Sequence, residues 1–189
     1  MASLFDTLQA GAQRAGVTAR TKESQKWFQK NVKNLAVSRK GLLKDDALER
    51  TSRNIRGNMY MYFYDPKFKA DLPYYDRFPL TIMVDGAPGG FYGLNLHYLN
   101  YGGRARFLDE LMALGPAQAK ENSRLTKLRY NLLTGVKKYK EFKPCFKHYL
   151  GKHVVSQFSR VPMTDWEIAV FLPVEQFKKK SKGSVWNES

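Results

Sequence analysis

The chain has 189 residues, one cysteine, and 32 basic against 17 acidic side chains, which gives a formal net charge of +15. Apolar residues make up 43 % of the chain and aromatic residues 14 %, so the composition excludes a wholly disordered protein. A single cysteine excludes an intrachain disulfide framework, and the absence of any run of about 18 apolar residues argues against a transmembrane helix. We therefore expect a soluble, basic protein of a reducing compartment with a polyanionic partner and no membrane partner.

The charge is unevenly divided along the chain. Residues 1–56 carry a net charge of +7, residues 57–102 a net charge of −1, and residues 103–189 a net charge of +9. We interpret this as a basic helical arm over 1–57, an α+β core domain over 58–173 and a basic C-terminal tail over 174–189. The tail includes three consecutive lysines from Lys178, and we expect it to be frayed.

Two helices are predicted in the N-terminal arm. The first covers residues 3–15, where Ser3 is a suitable N-cap and Gly16 a suitable end. The second begins at Thr21, and its apolar face is formed by Trp27, Phe28, Val32 and Leu35. The polar stretch 36–57 is predicted to be an extended arm or a short helix.

Strands are predicted in the neutral centre. Residues 58–64 alternate methionine or phenylalanine with tyrosine, which is typical of a strand with two different faces. Residues 79–84 predict a second strand, and residues 91–96 a third that pairs with it across the glycine-rich turn. Residues 168–172 predict a last strand that ends at Pro173.

Three further helices are predicted after the glycine pair at 102–103. The first contains Phe107 and Leu111, the second contains Leu125, Leu128 and Leu132. The third begins near Pro144, with an apolar face formed by Phe146, Tyr149, Leu150, Val154 and Phe158. The fold class is therefore predicted to be α+β: a small antiparallel sheet packed with helices, plus the N-terminal helical arm.

Catalytic and metal-binding patterns are weak in this sequence. Cys145, His148 and His153 lack a further ligand for zinc and an orienting group for a nucleophilic thiol. The glycines between residues 86 and 93 are not followed by the Lys-Ser/Thr of a phosphate loop. Carboxylates that a nuclease would use to hold magnesium occur in turn-like settings, at Asp65, Asp71, Asp76 and Asp85. We predict no enzyme, no cofactor and no metal.

Basic side chains give a stronger pattern, because many of them recur at helical spacing and can neutralise phosphates. An acidic protein surface is the alternative partner. The predicted binding residues are Arg20, Lys26, Lys30, Lys33, Arg39, Lys40, Lys120, Arg124, Lys127, Lys137, Lys138 and Lys140. A second set of side chains, predicted to stack on unpaired bases or to form a protein interface, is Tyr60, Tyr62, Tyr64, Tyr74 and Tyr75.

The segment 59–67 followed by Leu-Pro-Tyr-Tyr-Asp-Arg-Phe-Pro-Leu at 72–80 resembles a family of small virion proteins of T4-like tailed phages. Further similar pieces are residues 90–99, 142–150 and 165–173, so the resemblance covers most of 57–173. It implies a non-enzymatic virion protein, made in the host cytoplasm, that protects packaged double-stranded DNA ends. The alternative is a neck, tail or baseplate component that binds other virion proteins, and either would be part of a symmetric assembly.

Overall fold

The computed structural model describes residues 2–112 and 140–188, and helices pack there on an antiparallel sheet. The predicted α+β fold class is therefore confirmed. The helix predicted around Leu125, Leu128 and Leu132 lies outside the described residues.

The helices of the described residues are α1 (Leu4–Arg14), α2 (Lys22–Val32), α3 (Arg39–Leu42), α4 (Tyr101–Met112), α5 (Trp166–Ala169) and α6 (Lys182–Glu188). Short 3-10 helices cover Leu96–Tyr98, Lys140–Cys145, Gly151–His153 and Met163–Asp165. The two predicted N-terminal helices are confirmed with their caps: the Ser3 hydroxyl accepts the Asp6 N–H at 2.9 Å, and Thr21 forms a reciprocal capping box with Ser24. The helix predicted after the glycine pair begins earlier, at Tyr101, and includes both glycines.

The strands are β1 (Glu49–Thr51), β2 (Met59–Met61), β3 (Tyr75–Asp76), β4 (Leu80–Ala87), β5 (Gly90–Asn95), β6 (Phe146–Leu150), β7 (Phe158–Val161) and β8 (Phe177–Lys178). Six of them form one sheet in the order β1-β7-β2-β4-β5-β6, and β3 pairs with β8 in a second sheet. All pairings are antiparallel.

Alternation along β2 separates two kinds of side chain, as the sequence predicted. Met59 and Met61 belong to the main core cluster, whereas Tyr60 and Tyr62 belong to a second, aromatic cluster that includes Phe91. Because successive side chains of a strand point to opposite faces, the sheet separates these two clusters.

The main core is continuous across the boundaries predicted from the charge. It contains Phe5 and Phe28 from the N-terminal arm, Ile82 from β4 and Val185 from α6, all buried. The division into an arm, a core domain and a tail stays a prediction, although side chains from all three parts share one buried cluster. The prediction of a frayed tail is wrong, because residues 177–178 and 182–188 form β8 and α6.

The predicted pairing of β4 with β5 is confirmed, and the turn is tighter than expected. β4 continues to Ala87, which pairs with Gly90, so Pro88 and Gly89 form the turn. Gly89 adopts a φ of 71°, a conformation that favours glycine. On the outer side of β5, Gly90 lies against the backbone of Tyr149 in β6.

Residues 168–172 do not form the predicted strand. They belong to α5 and the turns that follow it, and all five are buried. A short segment that is apolar on every side carries no periodicity, so the pattern cannot distinguish a buried helix from a buried strand.

The helix predicted from Pro144 is also wrong. Pro144 lies near the end of a 3-10 helix, and Phe146–Leu150 form β6, which pairs with β5 over five residues. The apolar positions fit helical spacing, but aromatic residues also pack well on a half-buried strand. The pairing partner, β5, lies far away in the sequence, so the local pattern does not reveal it.

Candidate nucleic-acid interface

The outer face of α2 carries four lysines, Lys22, Lys26, Lys30 and Lys33, the last of which is the C-cap residue. Their spacing places them along one side of the helix, and all four are exposed. The opposite side buries Phe28 in the core. No carboxylate within residues 2–112 and 140–188 forms an ion pair with any of the four. We call Lys22, Lys26, Lys30 and Lys33 the α2 lysine stripe.

Arg20, just before α2, is exposed and has a φ of 61°. Its backbone N–H donates to Glu167 Oε2 at 3.1 Å, and the Ser24 hydroxyl donates to the other carboxylate oxygen. Burial raises the pKa of Glu167, and these hydrogen bonds offset only part of the rise. This carboxylate and Arg20 both line a cavity of about 270 Å³ between α1, α2 and α5.

Arg39 and Lys40 lie side by side in α3 but have different surroundings. The Arg39 guanidinium donates to the carbonyl oxygens of Val174 and Glu175, both at 2.7 Å, and so holds α3 against the C-terminal segment. Lys40 is exposed. Of these two predicted binding residues, Arg39 is therefore engaged in the fold and Lys40 is accessible to a ligand.

The remaining predicted cations lie in or next to the part of the chain that is not described. Lys140 is exposed at the start of a 3-10 helix. Five others lie outside the described residues: Lys120, Arg124, Lys127, Lys137 and Lys138.

The predicted tyrosine platform is buried. Tyr60, Tyr62 and Tyr64 are 1, 0 and 6 % exposed, and their hydroxyls take part in hydrogen bonds with the fold. In particular, the Ile55 N–H donates to the Tyr60 hydroxyl at 2.7 Å, and the Leu150 N–H donates to that of Tyr64 at 3.1 Å. A base therefore has no access to these three rings, and the stacking role predicted for them is wrong for the folded chain.

Tyr74 and Tyr75 are half-buried at the edge of the small β3–β8 sheet. The Lys180 ammonium lies 4.8 Å from the centre of the Tyr74 ring, and the Tyr98 ring lies 6.0 Å away on centroids. An interface role for these two tyrosines stays a prediction.

The loop between β2 and β3 presents an aromatic ring that the sequence reasoning missed. Phe68 is 56 % exposed, between Lys67 and Lys69, and the Lys67 ammonium lies 5.0 Å from the centre of its ring. The Lys69 ammonium binds both carboxylate oxygens of Asp65, at 3.0 and 2.9 Å. The sequence pattern from which an exposed ring could have been predicted is a lone aromatic residue between two lysines, in a polar segment bounded by Pro66 and Pro73.

A buried ionic network contains Asp76, one of the carboxylates considered for a nuclease site. Asp76 Oδ2 lies 2.7 Å from His97 Nδ1 and accepts from Asn95 at 3.1 Å, while Oδ1 accepts from the Phe78 N–H at 3.0 Å. Burial alone would raise the pKa of Asp76, but the His97 ring and these donors outweigh it and lower that pKa. Asp76 therefore stabilises the fold and is closed to solvent.

Arg104 is fully buried and forms the second ion pair of this region. Its guanidinium donates to Glu175 Oε1 and to the carbonyl oxygens of Leu99 and Val170, at 2.7, 2.9 and 2.8 Å. Burial alone would raise the pKa of Glu175, but the charge of Arg104, the nearby His97 ring and the hydrogen bonds to the carboxyl together outweigh it and lower that pKa. Arg104 is thus unavailable to an external phosphate.

The other side chains considered for catalysis are dispersed. Asp65 pairs with Lys69, Asp85 pairs with Arg56, and Cys145 is buried. His148 and His153 approach different backbone oxygens, of Pro88 and Asp65. Within the described ranges, no group of three or more His, Cys, Asp or Glu side chains is arranged to hold a metal ion.

Comparison with known proteins gives one match. A family model described as the phage T4 terminal DNA protecting protein matches residues 1–188. No curated protein and no solved structure matches. In the described part of the chain, none of the helices combines the length and the apolar character needed to cross a membrane.

Proposed function

The chain belongs to the family of the phage T4 terminal DNA protecting protein, and on that premise we propose that it shields DNA ends by binding them through the α2 lysine stripe. It is a structural, phage-associated protein of DNA end protection. The match from residue 1 to residue 188 is the observation that carries this function. It gives no support to the alternative of a neck, tail or baseplate component.

The stripe has the charge and the length that a DNA backbone requires. An α-helix rises about 1.5 Å per residue, so the stretch from Lys22 to Lys33 covers about 16 Å of a backbone that carries one charge per about 1.7 Å of duplex axis. Its four ammonium groups have no ion-pair partner among the described residues, so a phosphate does not have to displace a carboxylate. The core-facing side of α2 holds the helix in place, with Phe28 and Val32 buried.

In this function the protein breaks no bond and acts by occupying the end. Of the carboxylates considered for a nuclease, Asp65 and Asp85 form salt bridges with Lys69 and Arg56, and Asp76 is hydrogen-bonded to the buried His97 ring. We further propose that the protein is made in the host cytoplasm and enters the virion with the DNA.

The stripe is tested by removing three of its charges in the variant Lys26→Gln/Lys30→Gln/Lys33→Gln. Binding to a blunt-ended duplex is measured by fluorescence anisotropy between about 50 and 200 mM salt. We expect weaker binding and a slope of log K against log salt that is shallower by roughly 0.9 for each phosphate that the variant no longer neutralises.

The matched control removes the same charge elsewhere, in Lys44→Gln/Lys143→Gln/Lys152→Gln, at three exposed lysines. If the control variant loses as much affinity and slope as the stripe variant, then net charge alone drives binding. That result would reject α2 as the binding surface.

A further inference from the structure

We propose that Phe68 stacks on the terminal base pair of the bound DNA, so that the loop of residues 65–72 recognises the end itself. This inference rests on the proposed function. The stripe on α2 accounts for attraction to phosphate at any position along DNA, because every phosphate carries the same charge. An end-protecting protein also needs a group that distinguishes a terminus from the interior of the duplex.

An exposed aromatic ring has that property. Inside a duplex each base pair is covered on both faces by its neighbours, whereas the last pair presents one open face. A flat ring can reach a base face without unstacking the helix only at a terminus or on an unpaired base. Stacking is tolerant of sequence because every base has a π face, which suits a protein that must bind any end.

Phe68 is the most exposed aromatic side chain in the described residues, at 56 %. Two other large apolar side chains have a similar solvent exposure, Val155 at 58 % and Ile55 at 55 %, but neither has an aromatic ring. Tyr60, Tyr62 and Tyr64 are buried and closed to a base. Within the described ranges Phe68 is therefore the ring best placed to meet a base face.

The backbone of the loop that carries this ring is held by hydrogen bonds. The N–H groups of Asp71 and Leu72 both donate to the Phe68 carbonyl oxygen at 3.0 Å, which closes a turn directly after the ring. The Lys179 ammonium donates to the carbonyl oxygens of Ala70 and Leu72, both at 2.7 Å, and joins the loop to the residues that follow β8. The Asp65 N–H donates to the His153 carbonyl oxygen at 3.0 Å, and Pro66 is buried.

The surroundings of the ring are complementary to a DNA end. Lys67 lies over the ring and Lys179 lies against the same loop, while Lys69 is paired with Asp65 and Asp71 adds one exposed negative charge, so the local charge is weakly positive. Aromatic rings bordered by cations combine stacking with attraction to the backbone. A loop whose backbone is already held by hydrogen bonds loses little backbone freedom when it binds, which favours affinity.

The test compares Phe68→Ala with wild type on two duplexes of one sequence, one with blunt ends and one closed at both ends by hairpin loops of abasic linkers. We expect wild type to prefer the open duplex and Phe68→Ala to lose about 5- to 100-fold of that preference while it keeps its affinity for the closed duplex. Phe68→Trp should retain the preference. The matched control is Ile55→Ala, which removes an equally exposed apolar side chain from another loop.

A 2-aminopurine base placed at the end or inside the duplex reports stacking directly. Wild type should quench the terminal probe, and Phe68→Ala should not. Unchanged end preference in Phe68→Ala, or equal loss of affinity for both duplexes, would overturn the inference. The proposed function fails separately, if wild type gives a DNA end no protection from an exonuclease.

Discussion

Burial divides the cations of this chain into residues that hold the fold together and residues that are free to bind. Arg104 and Arg39 donate to backbone carbonyl oxygens, for which the rigid fork of guanidinium donors is well suited. Lys26, Lys30 and Lys33 are exposed on α2. Fewer positive charges are therefore available to DNA than the formal charge of +15 suggests. At the N-terminal end, most of the available positive charges belong to lysines.

Asp165 gives a pH-dependent stability that can be measured. Burial, with smaller contributions from the Asp6 and Asp45 carboxylates, raises the pKa of Asp165 to about 6, although Gln9 donates a hydrogen bond to it. A carboxyl whose pKa is raised by folding binds its proton more tightly in the folded state, so its ionisation destabilises the fold as pH rises from about 4 to about 6. We expect Asp165→Asn to gain free energy of unfolding relative to wild type over this range.

Urea unfolding of both proteins at several pH values from 4 to 7 measures this difference. Asp46→Asn, at an exposed carboxyl in the N-terminal arm, controls for the loss of one negative charge. A difference between Asp165→Asn and wild type that stays flat or shrinks as pH rises would contradict the assignment.

Sequence patterns predicted three of the four lysines of the α2 lysine stripe, Lys26, Lys30 and Lys33, and missed Lys22. They did not show that these lysines have no carboxylate partner among the described residues, because ion pairing depends on residues distant in the chain. The sequence patterns wrongly predicted that Tyr60, Tyr62 and Tyr64 are accessible. Alternation shows that a strand has two different faces, but it does not show whether other parts of the protein bury both of them. Phe68 was missed because a single exposed ring has no periodicity. The loop that carries it is held by Lys179, more than a hundred residues away.

At the scale of elements, the predictions that held are those with local causes. α1 and α2 are specified by their own caps, and β4 and β5 by a turn between neighbouring segments. β6 and α5 were predicted wrongly because their conformation depends on distant partners. β6 pairs with β5 more than fifty residues earlier, and α5 contacts α2 more than a hundred residues earlier.

The contact between β5 and β6 predicts a large effect for Gly90→Ala. A Cβ added at Gly90 would lie 1.8 Å from the Tyr149 carbonyl oxygen, and that atom belongs to the backbone and cannot rotate away. We expect a loss of about 1–3 kcal/mol or more in the free energy of unfolding, measured in urea. Gly86→Ala in the same hairpin is the control, because nothing lies within 4 Å of its added Cβ. Equal stability of the two variants would show that the strands are not this close.

At the scale of the whole molecule, the basic flanks and the neutral centre contribute side chains to one buried core. Phe28 from α2 and Val185 from α6 lie in the same core cluster as the β4 residues, so the flanks add both charge and buried surface. Lysines are consequently displayed on a folded helix with a fixed spacing rather than on a free arm. The Phe68 loop is tied to the residues after β8 by Lys179, so the backbone that carries the ring is held against the rest of the fold.

The central claim is that this protein binds a DNA terminus, rather than coating DNA along its length, and so blocks attack there. The most direct measurement is digestion of blunt-ended linear duplexes of several lengths by a double-strand exonuclease, at a fixed concentration of ends. The amount of wild-type protein needed to halve the digestion rate is compared across lengths.

We predict that this amount follows the number of ends and is independent of duplex length, and that protection weakens as salt rises from about 50 to 200 mM. An amount that grows in proportion to length, or digestion that proceeds at the same rate with and without the protein, would contradict the account.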